Sequence, residues 1–286
     1  MPETPPPFPY PGSKSAYTDE IVEKVPQHTH FVDPFVGAGG VPLALPRPPG
    51  ITYLADADAD LIHCLKTIRD HPDELISRLK QYPYARETYR RAQEVIFETT
   101  PSSRGIDRAA LYYFHRRAAF AGADGEDAGF RATADGRRNA ARQYWNSLDR
   151  LHPISARLQN TTLRAQDWRA TLAAVPDEGH TVVFVDPPYR GTADHYTIQT
   201  ADGRTASDID HTTLFSKLDA LATRTNVDIL LTLDRDTPQL ENKWTRFSLG
   251  QTENTSGSSA QRSDVLLTSF TPDTGTSPSP SLAHWA

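Results

Sequence analysis

Short apolar runs, several of them ending in an aspartate, recur along the chain and predict the strands of a buried sheet. The run "VVFV" before Asp186 is β-branched or aromatic throughout, which is typical of a strand that is covered on both faces. Similar runs stop near Asp33 and Asp56. The predicted strands are 30–35, 51–58, 161–168, 181–185, 227–234 and 264–270.

Between these strands, apolar residues recur with the spacing of amphipathic helices. Strand–turn–helix units towards both ends of the chain predict an α/β doubly wound sheet, with a mainly helical segment inserted at one edge. The predicted helices are 16–25, a short one within 37–45, most of 61–150, 168–175 and 214–224. The predicted division is a sheet domain (8–65 and 151–270), a helical insertion (66–150) and a disordered tail (271–286).

Charge is distributed unevenly along the 286 residues. The formal net charge of −6 argues against a nucleic-acid partner. Residues 66–150, however, carry 16 Lys and Arg against 12 Asp and Glu, an excess of about +4. Such a segment indicates a surface that faces a polyanion, although solvated arginine-rich helices account for it equally well.

Cysteine content and apolar run length bear on the compartment. The single cysteine, Cys64, excludes an internal disulfide and a cysteine-built metal site, which fits a reducing cytoplasm. Every apolar run is shorter than a membrane span requires, and the N-terminus has no signal-peptide pattern. The ten histidines form no metal-binding constellation, so no metal is predicted.

The turn after the strand at 181–185 carries the most distinctive chemistry. Pro187 forces Asp186 into an extended conformation, and neither Pro187 nor Pro188 donates a backbone N–H. The turn therefore offers mostly acceptors, namely the carboxylate and nearby carbonyls, beside the ring of Tyr189. Such a pocket suits a planar group that carries hydrogens on nitrogen.

The turn after the first strand, "DPFVGAGG", suits a nucleotide. Gly37 and Gly39 would let a ligand approach the backbone, although alone they are equally consistent with an ordinary tight turn. Asp56 ends the next strand, the position at which an acid takes ribose hydroxyls, so the pair favours an adenosine-containing ligand. Asp33 would oppose a polyphosphate there but would suit a cation such as a sulfonium.

Four motifs follow one another along the chain: "YPGSK", "VDPFVGAGG", "YLADADADLI" and "VVFVDPPY". In this order they resemble the DNA adenine-N6 methyltransferases of the Dam type, over about residues 8–270. "DPPY" alone is moderately specific, whereas four motifs in the family's order are strongly specific. The resemblance implies a Rossmann-like methyltransferase sheet, an inserted DNA-recognition subdomain and S-adenosyl-L-methionine as cofactor. It also implies methylation of a flipped-out adenine in double-stranded DNA, without a metal.

The resemblance also assigns residues to roles. Those expected in catalysis are Asp186, Pro187, Pro188 and Tyr189. Those expected to bind the cofactor are Tyr10, Lys14, Asp33, Pro34, Phe35, Gly37, Gly39, Asp56 and Asp167. The basic insertion is expected to hold phosphates and read bases, with "YFHRRAAFAG" as its helix and loop. The arginines expected to contact DNA are Arg104, Arg108, Arg116, Arg117, Arg137 and Arg138.

Several positions depart from the family pattern and put the DNA sequence that is read in doubt. The departures are Tyr10 for Trp, Ser13 for Gly, Arg116 for Asn, Ala118 for Thr, Ala121 for Asn and Asp234 for Asn. Two classes of alternative remain open: a methyltransferase for cytosine N4, RNA or a protein amide, and a non-catalytic DNA-binding relative. A cognate restriction nuclease acting independently is a further potential partner, and the oligomeric state stays open.

Overall fold

The computed structural model describes residues 4–98, 104–120, 128–132, 139–189, 197–200, 203–206, 209–234, 244–250 and 264–272. The strands are β1 (His30–Asp33), β2 (Thr52–Asp56), β3 (Thr161–Ala165), β4 (Thr181–Val185), β5 (Thr197–Thr200), β6 (Gly203–Ala206), β7 (Val227–Asp234), β8 (Thr245–Ser248) and β9 (Asp264–Thr268). The helices are α1 (Thr18–Val22), α2 (Gly40–Ala44), α3 (Ala59–Asp70), α4 (Pro72–Lys80), α5 (Arg86–Gln93), α6 (Ile106–Ala118), α7 (Ala140–Leu148), α8 (Leu151–Leu158), α9 (Trp168–Ala173) and α10 (His211–Leu221). A π-helical turn, Glu94–Glu98, continues α5.

Within these residues, seven strands form one sheet in the order β3-β2-β1-β4-β7-β9-β8. The five from β3 to β7 are parallel, and β9 and β8 complete the sheet with antiparallel pairings. From β1 the chain proceeds outwards to β2 and β3, and it then returns to β4 on the other side. The carboxyl ends of β1 and β4 therefore form the topological switch point, where open α/β sheets bind ligands.

Strand β4 is the middle strand of the seven, and every one of its residues is buried. Val182 and Phe184 belong to the hydrophobic core on one face of the sheet, and Val183 and Val185 belong to the core on the other. A strand with apolar side chains on both faces needs helices above and below it, which makes the sheet doubly wound. This topology confirms the predicted α/β, Rossmann-like architecture.

Most predicted elements are present, with shifted ends. Helix α10 begins at His211 because the side chain of Asp210 accepts a hydrogen bond from Thr213 N and caps it. Helix α8 was not predicted, since Pro153 interrupts its apolar pattern, but proline is tolerated in the first turn of a helix. Strand β8 and the β5–β6 hairpin were not predicted either.

The helical segment between β2 and β3 contains α3 to α8. Its division at residues 66 and 150 into a separate domain stays a prediction, and most of the predicted tail (273–286) lies outside the described residues. None of the helices described here has the length and hydrophobicity needed to span a bilayer.

Candidate active site

A cavity of about 170 Å³ opens at the carboxyl ends of β1, β2 and β4. The three strand-end acids, Asp33, Asp56 and Asp186, all line it. Ten of the residues that the sequence predicts for catalysis or cofactor binding line this cavity, namely Tyr10, Lys14, Asp33, Pro34, Phe35, Gly37, Asp56, Asp167, Asp186 and Pro188. The turn after β4 and the glycine turn after β1 therefore face the same space, as the sequence predicted.

The glycine turn after β1 has a backbone conformation that side chains disfavour. Gly37 and Gly39 have φ angles of 50° and 77°, in the left-handed region that glycine adopts without strain. A Cβ placed on Gly37 would lie 3.0 Å from Cδ1 of Tyr10, so the Tyr10 ring packs directly against this turn. A Cβ on Gly40 would meet no atom within 4 Å, because the turn there borders open space.

The acids at the ends of β1 and β2 hold this turn in place by accepting hydrogen bonds from its backbone. Asp33 is buried, and its Oδ1 accepts a hydrogen bond from Phe35 N at 2.9 Å. Asp56 Oδ2 accepts from Gly37 N at 3.1 Å, and its Oδ1 accepts from Asp58 N at 2.9 Å. Asp56 therefore joins the end of β2 to the glycine turn and to the start of α3.

Burial in this cavity shifts the acids towards their neutral forms. Desolvation raises the pKa of Asp56 to about 7, although its hydrogen bonds from Asp58 N and Gly37 N oppose the shift. Burial also raises the pKa of Asp33 well above its ordinary value, and the negative charges of Asp186 and Asp56 add to that shift. Asp56 thus changes charge close to neutral pH.

An ion pair holds the Pro-Pro turn after β4 in place. Lys14 Nζ lies 2.7 Å from Asp186 Oδ1, 2.7 Å from the Gly12 carbonyl oxygen and 3.8 Å from Asp264 Oδ2. The Lys14 side chain is 4% exposed, and its ammonium lies 4.8 Å from the centre of the Tyr189 ring. Both members of this pair line the cavity, so the Lys14 side chain, which the sequence predicts beside the cofactor, also contacts the carboxylate of Asp186.

Two further polar residues reach this turn without a signal in the sequence. Thr232 Oγ1, on β7, donates to Asp186 Oδ1 at 2.5 Å. Asp264 begins β9, and burial raises the pKa of its carboxyl despite the nearby Lys14 ammonium. Because β9 is antiparallel to β7, the first residue of β9 lies at the edge where parallel strands end. Sequence reasoning would find Asp264 only by predicting the direction of that strand.

The remaining predicted residues of this site have less central positions. Asp167 caps α9 by accepting from Arg169 N at 2.8 Å, and its side chain is about half exposed at the cavity wall. Trp168, beside it, and Ile209 also line the cavity, and neither was predicted. Gly39 and Pro187 shape the two turns without lining the cavity. Among the described residues, no group of three His, Cys, Asp or Glu side chains is arranged to hold a metal.

The structure corrects part of the predicted DNA-contacting set. Arg108 and Arg116 are 6% and 1% exposed, too little to reach a phosphate. Arg108 forms a two-pronged pair with Asp60 (2.7 and 2.8 Å), to which Arg104 also donates at 3.0 Å. Arg108 and Arg116 therefore belong to the interior, because their charges are matched by acids of the "DADAD" segment.

Two of the other predicted arginines lie partly at the surface. Arg104 is about one-third exposed. Arg117 is half-buried, and its Nη2 donates to the Gln143 carbonyl at 3.1 Å. Burial lowers the pKa of Arg117. Arg137 and Arg138 lie outside the described residues.

A glycine turn after β1, an acid after β2 and a Pro-Pro turn after β4, all on one cavity of this sheet, define a Rossmann-like methyltransferase fold. Residues 10–255 match the family described as D12 class N6 adenine-specific DNA methyltransferase, and the chain belongs to that family. The family resemblance read from the motifs is thereby confirmed. Proteins of this kind use S-adenosylmethionine in general.

One relative of the chain is the Type II methyltransferase M1.LlaDCHI of Lactococcus lactis subsp. cremoris, 24% identical over 192 residues. The match covers 62% of this chain and 63% of that protein, so the chain spans less than two thirds of the relative's length. Among solved structures, the rRNA methyltransferase aviRa from Streptomyces viridochromogenes aligns with a TM-score of 0.37 and 17% identity, over 93% of this chain and 88% of that one. A score that low supports no argument about activity.

Proposed function

We propose that this protein is a site-specific DNA methyltransferase that moves a methyl group from S-adenosylmethionine to N6 of a flipped-out adenine in double-stranded DNA. One observation carries the proposal: Asp186 lines the same cavity as Gly37 and Asp56. An acceptor-rich turn therefore faces the place where a nucleotide cofactor would lie. Membership of the family and its match over residues 10–255 support this assignment.

The walls of the cavity have the chemistry that this cofactor requires. Asp56 would accept hydrogen bonds from ribose hydroxyls, since a carboxylate that already accepts two N–H groups has further lone pairs. Phe35 and Trp168 offer apolar surface for an adenine ring, beside the carboxylate of Asp167. Asp33 would supply negative charge once a cation such as the sulfonium lies beside it, since a nearby positive charge opposes the burial that raises its pKa. When bound, S-adenosylmethionine supplies an electrophilic methyl group on a sulfonium.

The turn after β4 would activate the amine that accepts the methyl group. The lone pair of an adenine amine is delocalised into the ring, which makes the amine a poor nucleophile. The Asp186 carboxylate and a carbonyl of the Pro-Pro turn would each accept a hydrogen bond from one N–H of the amine. These two hydrogen bonds would localise the lone pair on nitrogen and stabilise the positive charge that develops there. This is preorganised electrostatic stabilisation with acceptors in place of the usual donors.

Neighbouring side chains would hold that carboxylate in place. Lys14 and Thr232 both contact Oδ1 of Asp186, which leaves Oδ2 for the incoming amine. Tyr189 would stack on the extruded base. This stacking would stabilise the extruded state by about 1–3 kcal/mol and so offset part of the free energy lost when the base leaves the duplex. Burial raises the pKa of Tyr189, so its ring stays neutral. The chain would thus orient the base and stabilise charge without a metal.

We infer that the insertion (66–150) contacts the DNA. Phe120, two residues after the end of α6, is exposed, and the partly exposed Arg104 and Arg117 lie on the same segment. Its local excess of positive charge suits a phosphate backbone. A DNA substrate fits a cytoplasmic location, and a cognate nuclease that recognises the same sequence and acts independently would be a natural counterpart.

The proposed function has a direct test. Unmethylated double-stranded DNA incubated with the protein and S-adenosylmethionine is expected to acquire N6-methyladenine, measured by mass spectrometry of its nucleosides. Methylation-sensitive sequencing of the same DNA identifies the sequence context. N4-methylcytosine in place of N6-methyladenine, or methylation of RNA only, would refute the assignment. Binding to DNA with no transfer of a tritiated methyl group would indicate the non-catalytic alternative.

Cofactor affinity is expected to rise as the pH increases through about 7. Asp56 has a pKa of about 7, so it is mostly protonated at pH 6 and mostly ionised at pH 8. Only the ionised form offers all its lone pairs to ribose hydroxyls, which predicts about a tenfold change in affinity over that interval. Calorimetric titration with S-adenosylhomocysteine at both pH values measures it. Asp56→Asn should bind weakly and lose the pH dependence; a variant with an unchanged profile would show that Asp56 is not the responsible group.

A further inference from the structure

Arg116 lies between two tyrosine rings at the end of helix α6. Its guanidinium carbon is 4.8 Å from the centre of the Tyr10 ring and 4.9 Å from that of Tyr112. Its Nη2 donates to Tyr112 Oη at 2.9 Å and lies 3.8 Å from Asp58 Oδ2. The Asp58 carboxylate and the faces of the two tyrosine rings help to compensate the charge of this side chain, which is 1% exposed.

Two of these neighbours, Tyr10 and Asp58, connect Arg116 with the proposed cofactor cavity. The ring of Tyr10 lines that cavity and packs against Gly37. Asp58, which accepts from Tyr112 Oη at 3.1 Å, donates its own N–H to Asp56. The guanidinium therefore lies behind one wall of the cavity and beside the segment that orients the acid of β2.

We propose that Arg116 is a positioning residue that holds the Tyr10 ring against the glycine turn and thereby sets the affinity for the cofactor. Helix α6 belongs to the segment that we assign to DNA contact, so this side chain joins the insertion to the cofactor cavity. The inference rests on the proposed use of S-adenosylmethionine. It also gives a role to the arginine that stands where relatives usually have Asn.

Arg108 provides a matched comparison on the same helix. It lies eight residues earlier, is also buried, and is paired with Asp60, the next acid of the same segment. It also donates to the carbonyls of Val95 and Ile96, neither of which lines the cavity. Replacing either arginine disturbs a buried ion pair, but replacing Arg116 also removes a stacking contact with Tyr10, which lines the cavity.

The experiment compares Arg116→Lys with Arg108→Lys in the full chain. Lysine keeps the charge but lacks the planar group that stacks on Tyr10. Arg116→Lys is expected to weaken binding of S-adenosylhomocysteine about three- to tenfold by calorimetry, whereas Arg108→Lys leaves it within about twofold. Urea unfolding of both variants measures the loss of stability, which should be of similar size. At saturating cofactor the kcat of Arg116→Lys should stay close to that of the wild type.

The outcomes separate this inference from the proposed function. If the wild-type protein binds neither S-adenosylhomocysteine nor S-adenosylmethionine, the proposed function fails. If the wild type binds and the two lysine variants bind equally well, the positioning role of Arg116 is refuted. In a Tyr10→Leu background the effect of Arg116→Lys should vanish, because the ring that it positions is gone.

A second variant covers the case in which Arg116→Lys does not fold. Tyr112→Phe removes only the hydroxyl that anchors Arg116 Nη2 and links it to Asp58. It is expected to weaken S-adenosylhomocysteine binding in the same direction by a smaller factor. Tyr113→Phe is the control, since its hydroxyl donates to Ser147 of α7 and takes no part in the Arg116–Tyr112–Asp58 contacts. Equal affinities of the two phenylalanine variants would overturn the proposal.

Discussion

Asp186→Ala is expected to reduce methyl transfer by about 10²–10³-fold while leaving cofactor binding nearly intact. The substitution removes the acceptor that would stabilise positive charge on the amine, and a single preorganised polar group of this kind has effects of that size. Asp186 borders the cavity without contributing to the glycine turn or to the contacts of Asp56, so the cofactor-binding wall should persist. Transfer of tritium from labelled cofactor to DNA measures the rate.

The isosteric variant Asp186→Asn is the control for this experiment. The alanine variant leaves Lys14 with Gly12 O and the more distant Asp264, which costs stability and must be separated from the catalytic loss. Asparagine keeps the size of the side chain and one oxygen, so its rate should lie between those of alanine and the wild type. Near wild-type transfer by the alanine variant would contradict the proposed mechanism.

Gly37→Ala is expected to weaken cofactor binding about tenfold or more, the second largest effect. At a φ of 50° an alanine is strained by roughly 1–2 kcal/mol, and its Cβ would lie 3.0 Å from Cδ1 of Tyr10. Either the ring or the turn must move, and both line the cavity. Calorimetric titration with S-adenosylhomocysteine measures the affinity, and urea unfolding measures the accompanying loss of stability.

Gly39→Ala separates strain from displacement of the ring. Gly39 has a φ of 77°, so alanine is strained there too, but its Cβ would approach Leu43 at 3.4 Å and not Tyr10. We expect a comparable loss of stability with a smaller loss of cofactor affinity. If both alanine variants bind equally weakly, backbone strain in the turn accounts for the effect and the Tyr10 contact does not.

These two predictions divide the cavity into a part for binding and a part for transfer. The glycine turn, Tyr10 and Asp56 should govern cofactor affinity, whereas the Asp186 turn should govern the rate at saturating cofactor. Lys14 should influence both parts, because it lines the cavity and lies 2.7 Å from Asp186. Its motif predicts a place beside the cofactor but does not show that the ammonium also contacts Asp186.

Local sequence determined the five parallel strands and β9, together with the edge of the sheet at which the acids gather. A short, β-branched apolar run is typical of an inner strand, and the parallel strands that end at or just before Asp33, Asp56 and Asp186 bring their acids to one edge. The order of motifs determined the family. These features depend on neighbouring residues alone, so they can be recognised without coordinates.

Only the tertiary structure decided which charges face the ligand and which neutralise one another. Arg108 and Arg116 look like surface cations in a basic segment, yet packing of α6 against α3 places them beside Asp60 and Asp58. Asp264 reaches the Pro-Pro turn after β4 only because β9 runs antiparallel to β7. Such pairings join residues tens to more than two hundred positions apart, and their energy comes from burial that exists only once the elements have packed.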